Sequence, residues 1–221
     1  MKTTCAKNLL LATVLAMGQT SHSQGFVNPD FEDATIIITG GPGNINANSA
    51  IPGWAANFGS GYPAGDIYYN GVSLGGAIVA LEDANASNGA PLPIQGNYSI
   101  FLEGSTFGTP TTASIGQTGT IPIGKQSLTF YLGNAFVGLQ VTFNGQPISY
   151  LVTGSTANYN IYAGDISAYA GQTGQLLFST PANTAALLDN IQFSTAAVPE
   201  PSTLALVAFG GLLLGGRRWK K

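Results

Sequence analysis

Apolar and polar residues alternate in short runs through the middle of the 221-residue chain, as in Leu-Thr-Phe-Tyr-Leu at 128–132 and Leu-Gln-Val-Thr-Phe at 139–143. A period of two places every second side chain on the same face of a strand, so each run predicts a strand with one face in a core. Eleven runs rich in β-branched and aromatic residues and bounded by turn residues are predicted strands. They are Ala34–Thr39, Asp66–Tyr69, Ala77–Leu81, Tyr98–Glu103, Ala113–Thr118, Gln126–Leu132, Leu139–Phe143, Ile148–Val152, Tyr159–Ala163, Gln175–Ser179 and Asp189–Ser194.

This number of short strands predicts an all-β fold, a single β-sandwich of the jelly-roll type. The pair Asn144-Gly145 predicts a hairpin turn, because both residues tolerate a positive φ. Asp165–Tyr169 is predicted to form a helical turn with Asp165 as its cap. The roughly 175 residues between the two ends of the chain suit one packed domain.

The N-terminus has the pattern of a secretory signal peptide, predicted to span residues 1–23. Lys2 and Lys7 precede the apolar stretch 9–17, and the small residues Ser21 and Ser23 follow at the −3 and −1 positions of a cleavage site. Such a segment is removed on export and takes no part in the fold. The sandwich is therefore predicted to span residues 24–197, which we call the passenger.

The C-terminus, residues 198–221, combines a proline-containing tripeptide, an apolar run and a basic end. Pro199, Glu200 and Pro201 precede residues 203–216, which carry no charge and as a helix reach only ~21 Å, short of a ~30 Å hydrocarbon core. The chain then closes with four cations, which favour a cytoplasmic location for this end. These cations are Arg217, Arg218, Lys220 and Lys221.

This arrangement resembles the PEP-CTERM sorting signal of Gram-negative bacteria that make an exopolysaccharide matrix. The resemblance implies a single hydrophobic helix at residues 203–216 that anchors the chain transiently in the inner membrane. It implies processing by an exosortase near Pro199–Pro201 after passage through the secretion machinery. The final location implied is the cell surface or the extracellular matrix.

The passenger has few of the side chains that most catalytic and nucleic-acid sites require. It contains nine acidic residues and one lysine, so its net charge is −8, which opposes binding to nucleic acid. The only cysteine and histidine, Cys5 and His22, lie in the predicted signal peptide, and all arginines lie in the C-terminal tail. Thiol catalysis, a Ser-His-Asp triad and common zinc sites are excluded, whereas a carboxylate pair or a calcium site is allowed.

Short motifs at both ends of the passenger resemble galactose-binding-like jelly rolls, which include carbohydrate-binding modules. They are Asn28-Pro29-Asp30-Phe31-Glu32, Ile51-Pro52-Gly53-Trp54, the stretch 165–172 and Leu188–Phe193. The resemblance implies the same fold here. It also implies a possible structural Ca²⁺ ion between the first and last strands, held by Glu32 and Asp189, although each acid could instead accept backbone hydrogen bonds.

Two further groups of residues are candidates for a glycan site. Four aromatic side chains and one acidic side chain lie close together in the sequence at 54–69, and they could form a sugar platform. A tryptophan buried in the core and tyrosines that merely favour strands would explain the same residues equally well. This group is Trp54, Tyr62, Asp66, Tyr68 and Tyr69. Glu82, Asp83 and Glu103 could supply the carboxylate pair of a glycosidase, but acids in loops are more often merely solvated.

We therefore expect an exported structural or adhesive component of the cell surface or matrix, without enzymatic activity. The alternative is a carbohydrate-binding module for exopolysaccharide, and a more distant alternative is a glycan-active enzyme that uses paired carboxylates.

Overall fold

A computed structural model of the chain describes residues 25–41, 43–59, 63–136 and 138–198. The predicted signal peptide at 1–23 and the sorting motif, membrane segment and basic end at 199–221 lie outside the described residues.

The described residues form thirteen strands and two short helical turns. The strands are β1 (Asn44–Asn46), β2 (Ala55–Phe58), β3 (Asp66–Tyr69), β4 (Ile78–Glu82), β5 (Ser99–Glu103), β6 (Ala113–Thr120), β7 (Ser127–Gly133), β8 (Gln140–Phe143), β9 (Gln146–Pro147), β10 (Tyr150–Ser155), β11 (Tyr159–Asp165), β12 (Thr173–Thr180) and β13 (Ala185–Ser194). The helical turns are α1 (Ala47–Ala50) and a 3₁₀ turn at Ser167–Tyr169.

The strands form two sheets, so the predicted all-β sandwich is confirmed. The larger sheet has the order β1-β3-β4-β5-β13-β7-β11-β10, and the smaller has the order β2-β6-β12-β8-β9. Neighbouring strands are antiparallel except β3 and β4, which are parallel. Neither helical turn in the part of the chain described here is long or apolar enough to cross a membrane.

The main core lies between the two sheets and contains the alternating residues that the sequence pattern indicated. Phe130 from β7 and Phe178 from β12 are fully buried and meet edge to face, with ring centroids 5.7 Å apart. Phe143 from β8 is also fully buried. The alternation thus decides which face of each strand points inward.

The predicted turn at Asn144-Gly145 is confirmed, with φ angles of 49° and 75°. It joins β8 to β9, where Phe143 faces Gln146. Only the first two residues after the turn pair with β8 as a strand, and the chain then crosses to the larger sheet to form β10. The predicted helical turn is a 3₁₀ turn, and the Asp165 carboxylate accepts a hydrogen bond from the Ser167 N–H at 2.8 Å.

The short elements β1, α1 and β9 were not predicted, and two further segments differ from the sequence prediction. Residues 34–39 form no ladder and make one isolated bridge, between Ile38 and Ile45, because they run along the margin of the short β1. Strand β2 was not predicted because Ala-Ala-Asn-Phe has weak β propensity; its pairing with β6 overrides that preference.

A second, smaller apolar layer covers the part of the larger sheet's outer face that β4, β5 and β13 form. Ile78, Ala80, Phe101 and Leu187 point outward from β4, β5 and β13 and are buried beneath Val72, Ile94 and Phe136. The connection between β4 and β5, residues 83–98, supplies Ile94 and therefore lies over this face. We call Val72, Phe136 and the connection at 83–98 the cover. The cover seals polar side chains on the same face from water.

Candidate functional site

Three polar side chains from neighbouring strands lie side by side beneath the cover, and we call them the buried acid row. Glu82 on β4 faces Ser99 on β5, and the Ser99 hydroxyl donates to the Asp189 carboxylate on β13 at 2.8 Å. The Ser99 oxygen also accepts the N–H of Ile94 at 3.0 Å, which attaches the cover to the row. All three side chains are at most 1% exposed.

Glu82 is the least satisfied member of the row. Neither carboxylate oxygen has a hydrogen-bond partner among the described residues. Burial raises the pKa of Glu82 to about 8; the nearby Gly71 backbone opposes this rise, and the charge of Asp83 adds to it. The Glu82 side chain is therefore a neutral acid at pH 7.

Asp189 shares this environment but has hydrogen-bond donors. Burial raises its pKa to about 7, opposed by the Ser99 hydroxyl and the Asn190 N–H, while the charges of Glu32 and Asp30 raise it further. The N–H of Asn190 lies 2.6 Å from the carboxylate. Asp189 therefore titrates near neutrality.

Asp83, next to Glu82 in sequence, is fully occupied as an acceptor. It accepts from the Tyr69 hydroxyl at 2.5 Å, the Asn70 amide at 2.7 Å and the Asn85 N–H at 2.7 Å, and its own N–H donates to Asn70. Partial burial pushes the pKa of Asp83 up, but these hydrogen bonds outweigh it and hold the pKa below its usual value. Burial and then the Asp83 contacts raise the pKa of Tyr69. This arrangement holds the end of β3 against the end of β4.

The three acids considered as a catalytic pair do not converge. Glu82 faces Ser99 and Ile78 faces Glu103, so Glu82 and Glu103 lie at opposite ends of the β4–β5 pair, roughly 13 Å apart along the strands. Glycosidase carboxyls lie about 5–10 Å apart on either side of the scissile bond. Glu103 instead accepts the Ser73 N–H at 3.3 Å, and burial raises its pKa.

The two acids suggested for calcium binding are also engaged by protein donors. Glu32 accepts the Asn97 N–H and side-chain amide, both at 2.8 Å, and the Tyr98 N–H at 3.1 Å, so it fastens the end of the cover. Asp189 is engaged by Ser99 and Asn190. No three acidic, histidine or cysteine side chains within the described ranges are grouped as a metal site. Protein donors therefore account for the positions of both acids without a bound ion.

We therefore expect a calcium chelator to leave the thermal unfolding midpoint of the protein unchanged to within about 1 °C, because an ion that does not bind the folded state cannot stabilise it. The measurement is a melting curve in chelator, in millimolar Ca²⁺ and, as the control, in millimolar Mg²⁺. A midpoint that falls in chelator and is restored by Ca²⁺ alone would establish the calcium site.

The aromatic residues suggested as a sugar platform are not brought together. Trp54 is only 2% exposed; its ring packs against Phe31 and Phe178, and its indole N–H donates to the Asn28 carbonyl at 2.9 Å. A sugar therefore has no access to this ring. Tyr62 lies outside the described residues.

The remaining members of that group lie on β3 and face different ways. Asp66 and Tyr68 point outward, and Tyr68 is 39% exposed, whereas Tyr69 is tied to Asp83. The period of two along a strand separates Tyr68 from Tyr69, although they are adjacent in sequence. Among the members of this group that the structure describes, only Tyr68 remains available as a flat aromatic surface.

A more suitable aromatic surface was missed by sequence reasoning. Tyr131 on β7 and Tyr159 on β11 stack on the outer face of the larger sheet, with ring centroids 4.5 Å apart and planes 15° apart. Tyr159 is paired with Gly133, which lines a groove of about 430 Å³. Other residues that line this groove include Leu92, Asn134, Phe136, Asn158 and Leu187. The outward position of Tyr131 in the alternating run 128–132 was the available signal, but its partner lies 28 residues away.

Comparisons with solved structures find weak similarities to this fold. An apo-form cyclase from Fischerella sp. is 18% identical, with 77% of this chain and 94% of that chain covered and a TM-score of 0.41. A family 11 carbohydrate-binding module from Clostridium thermocellum, in complex with a β-1,3-1,4-mixed-linked tetrasaccharide, is 11% identical, with 71% and 97% covered and a TM-score of 0.36. Similarities of this size carry no argument about function. No match was found among curated proteins.

The C-terminal residues give a definite result. Residues 197–221 match the PEP-CTERM protein-sorting motif, in agreement with the order of proline-containing tripeptide, apolar run and basic end. The motif indicates export and a C-terminal signal of the membrane-anchor type, and it makes the chain an exosortase substrate. The protein is thus a β-sandwich that carries a PEP-CTERM sorting motif at its C-terminus.

Proposed function

We propose that this protein is a structural or adhesive component of the cell surface or extracellular matrix, delivered there by its C-terminal motif. The observation that carries the proposal is the match of residues 197–221 to the sorting motif directly after the last strand, β13. The tail acts as a transient inner-membrane anchor, the exosortase releases the passenger, and the passenger remains outside the cell.

The connection between the sandwich and the motif supports this order of events. The Ser127 hydroxyl donates to the Ala196 carbonyl at 2.7 Å, and the Gln126 amide donates to the Thr195 carbonyl at 3.0 Å. Two residues, Ala197 and Val198, then separate this attachment from Pro199 and span roughly 7 Å when extended. Residues 199–202 add at most roughly 14 Å, so the anchored sandwich stays within roughly 21 Å of the apolar run, and cleavage near the motif leaves it only a short tail.

The positions of the acids support a role without catalysis. Glu82 is sealed beneath the cover, the Asp83 carboxylate is saturated by donors, and Glu103 lies at the other end of the strand pair from Glu82. General acid–base work needs a carboxyl within hydrogen-bond reach of a substrate atom. Asp83 instead ties the end of β3 to β4 through Tyr69 and Asn70, Glu103 accepts the Ser73 N–H, and Glu82 has no accessible surface at which a substrate could meet it.

Sorting is tested by replacing Pro199, Glu200 and Pro201 with alanine in a host that contains the matching exosortase. We expect the wild-type protein in the surface or matrix fraction, shortened so that Trp219 and the terminal lysines are missing by mass spectrometry. We expect the triple-alanine variant to stay in the membrane fraction at full length after signal-peptide removal. Ser202→Ala is the matched control and should behave as wild type. Recovery of full-length wild-type protein outside the cell would contradict the processing step.

The structural role has a separate test. A strain that lacks the protein should show reduced surface attachment or matrix cohesion, restored by the wild-type gene and not by the triple-alanine variant. Unchanged attachment and cohesion in that strain, with sorting intact, would refute the structural role while leaving the sorting pathway in place.

The second candidate is a carbohydrate-binding module, favoured by the stacked Tyr131–Tyr159 pair beside the groove. Flat aromatic faces and nearby amides such as Asn134 and Asn158 are the groups that hold sugar rings. If this function holds, Tyr159→Ala should lower the affinity for a glycan at least about tenfold, a loss of about 1.4 kcal/mol. The control Ile123→Ala, which shortens an exposed apolar side chain outside both candidate sugar groups, should bind as wild type. A glycan array without any binding at millimolar concentration would remove this candidate.

A further inference from the structure

Three of the four sheet edges are protected against pairing with another chain. Residues 37–39 run along β1 and make the bridge between Ile38 and Ile45. The Ala64 N–H donates to the Ala56 carbonyl at 2.8 Å and so covers part of β2. Strand β9 has only two residues, one of them Pro147, which has no N–H to donate.

The fourth edge, β10, has little protection. Its six residues, Tyr150–Ser155, pair with β11 on one side, and none of the described strands pairs with the other side. The strand contains no charged residue and no proline, and Val152 is 50% exposed. Its only such protection among the described residues is one bulge-like shift of register between Val152 and Gly154, which leaves Tyr150–Val152 as a regular open edge. Edge strands of this kind are templates for pairing, which natural proteins usually prevent with charges, prolines or bulges.

The charge distribution favours a second copy of this chain as the partner. Residues 126–164, which contain β7 to β11 up to Gly164, include no charged side chain, whereas the passenger carries nine acids and one lysine elsewhere. Two copies with a net charge of −8 repel each other, and the repulsion is smallest when their neutral sides meet. Every copy presents the same edge of the same length, so the contact is self-complementary about a two-fold axis.

We propose that β10 pairs with β10 of a second copy, in antiparallel orientation, and joins the two larger sheets into one. The inference deepens the proposed structural role by giving it a means of assembly. A contact of six residues on each side is small, so the association is weak in dilute solution and becomes effective where copies are concentrated at a surface or in a matrix.

The experiment uses disulfide cross-linking of the full chain in mild detergent, with micelles in excess over protein. Cys5→Ser removes the only native thiol, and Val152→Cys then places a single thiol on the edge. Leu74→Cys is the matched control, because Leu74 is fully exposed and precedes β4, which four strands separate from β10. After oxidation, we expect at least about threefold more disulfide-linked dimer with Val152→Cys than with Leu74→Cys. This ratio should increase with protein concentration.

A charge at the edge gives an independent measurement. Val152→Lys should abolish concentration-dependent association in sedimentation equilibrium, whereas Leu74→Lys should leave it unchanged, with both variants melting like wild type. Equal cross-linking at positions 152 and 74, or full association of Val152→Lys, would overturn the inference. Stronger cross-linking with Ile37→Cys than with Val152→Cys would also overturn it and would assign the contact to the β1 edge of the larger sheet. If the Val152→Cys chain cross-links but a strain without the protein keeps normal attachment and cohesion, the pairing of β10 stands. In that case only the structural role is refuted.

Discussion

The Glu82→Gln variant is expected to be more stable than wild type at pH 9 by on the order of 4 kcal/mol, because the buried Glu82 side chain would otherwise have to ionise without a partner. The ordinary carboxyl pKa of 4.5 is raised to about 8 in the folded protein. Each unit of pKa corresponds to about 1.4 kcal/mol between the two protonation states. Glutamine has nearly the same shape and cannot ionise.

The sign of the pH dependence follows from linkage. In the folded state Glu82 keeps its proton up to about pH 8, whereas in the unfolded state it loses the proton near pH 4.5. The folded state therefore binds more protons between these values, and wild-type stability falls as the pH rises through this window. Asp189, with a pKa of about 7, contributes a fall of the same sign. The stability difference between Glu82→Gln and wild type should be small below pH 4 and largest above pH 8.

The measurement is denaturant unfolding of both proteins at pH 4, 6, 8 and 9. Asp165→Asn is the control, because the Ser167 contacts lower the pKa of this exposed acid and removing its charge should give no gain at pH 9. A difference between Glu82→Gln and wild type that stays constant across the pH range would show that ionisation of Glu82 is not the cause.

The Trp54→Ala variant is expected to lose about 3–5 kcal/mol of stability, the usual cost of removing a large aromatic side chain from a core. Trp54 is 2% exposed and touches the rings of Phe31 and Phe178, and its indole N–H satisfies the Asn28 carbonyl. Without the ring a cavity opens between the sheets, and the Asn28 carbonyl loses the shorter of its two hydrogen bonds, keeping only the Phe31 N–H at 3.4 Å.

Denaturant unfolding with two companion variants separates these contributions. Trp54→Phe keeps most of the packing and loses the hydrogen bond, so its cost should be smaller than that of Trp54→Ala. Tyr68→Ala removes an exposed aromatic ring from β3 and should change the stability by no more than about 0.5 kcal/mol. Equal costs for Trp54→Ala and Tyr68→Ala would show that Trp54 is not part of the core.

Much of the fold was accessible from sequence because strand alternation and turn chemistry are local properties. The run at 128–132 places its leucines and phenylalanine in the core, and Asn144-Gly145 forms the predicted positive-φ turn. Strand β2 and the coil-like state of residues 34–39 were not predictable in this way, because each depends on which distant segment lies beside it.

The candidate sites were less predictable than the strands. Ser99 and Asp189 are 90 residues apart, and only the pairing of β5 with β13 shows that they share a hydrogen bond. Likewise, Tyr69 and Asp83 meet through the parallel pairing of β3 with β4. The composition limited the available chemistry to carboxylates, hydroxyls and amides, but it did not indicate which of these would be buried together.

The sequence by itself determined the sorting motif, the alternating strands and the acidic charge of the passenger, because each is read from neighbouring residues or from composition. The tertiary structure alone decided that Trp54 is core, that Glu82 is sealed without a partner and that β10 is left as an open edge. The physical reason is that burial and pairing depend on contacts between strands far apart in the chain, and local patterns do not specify those contacts.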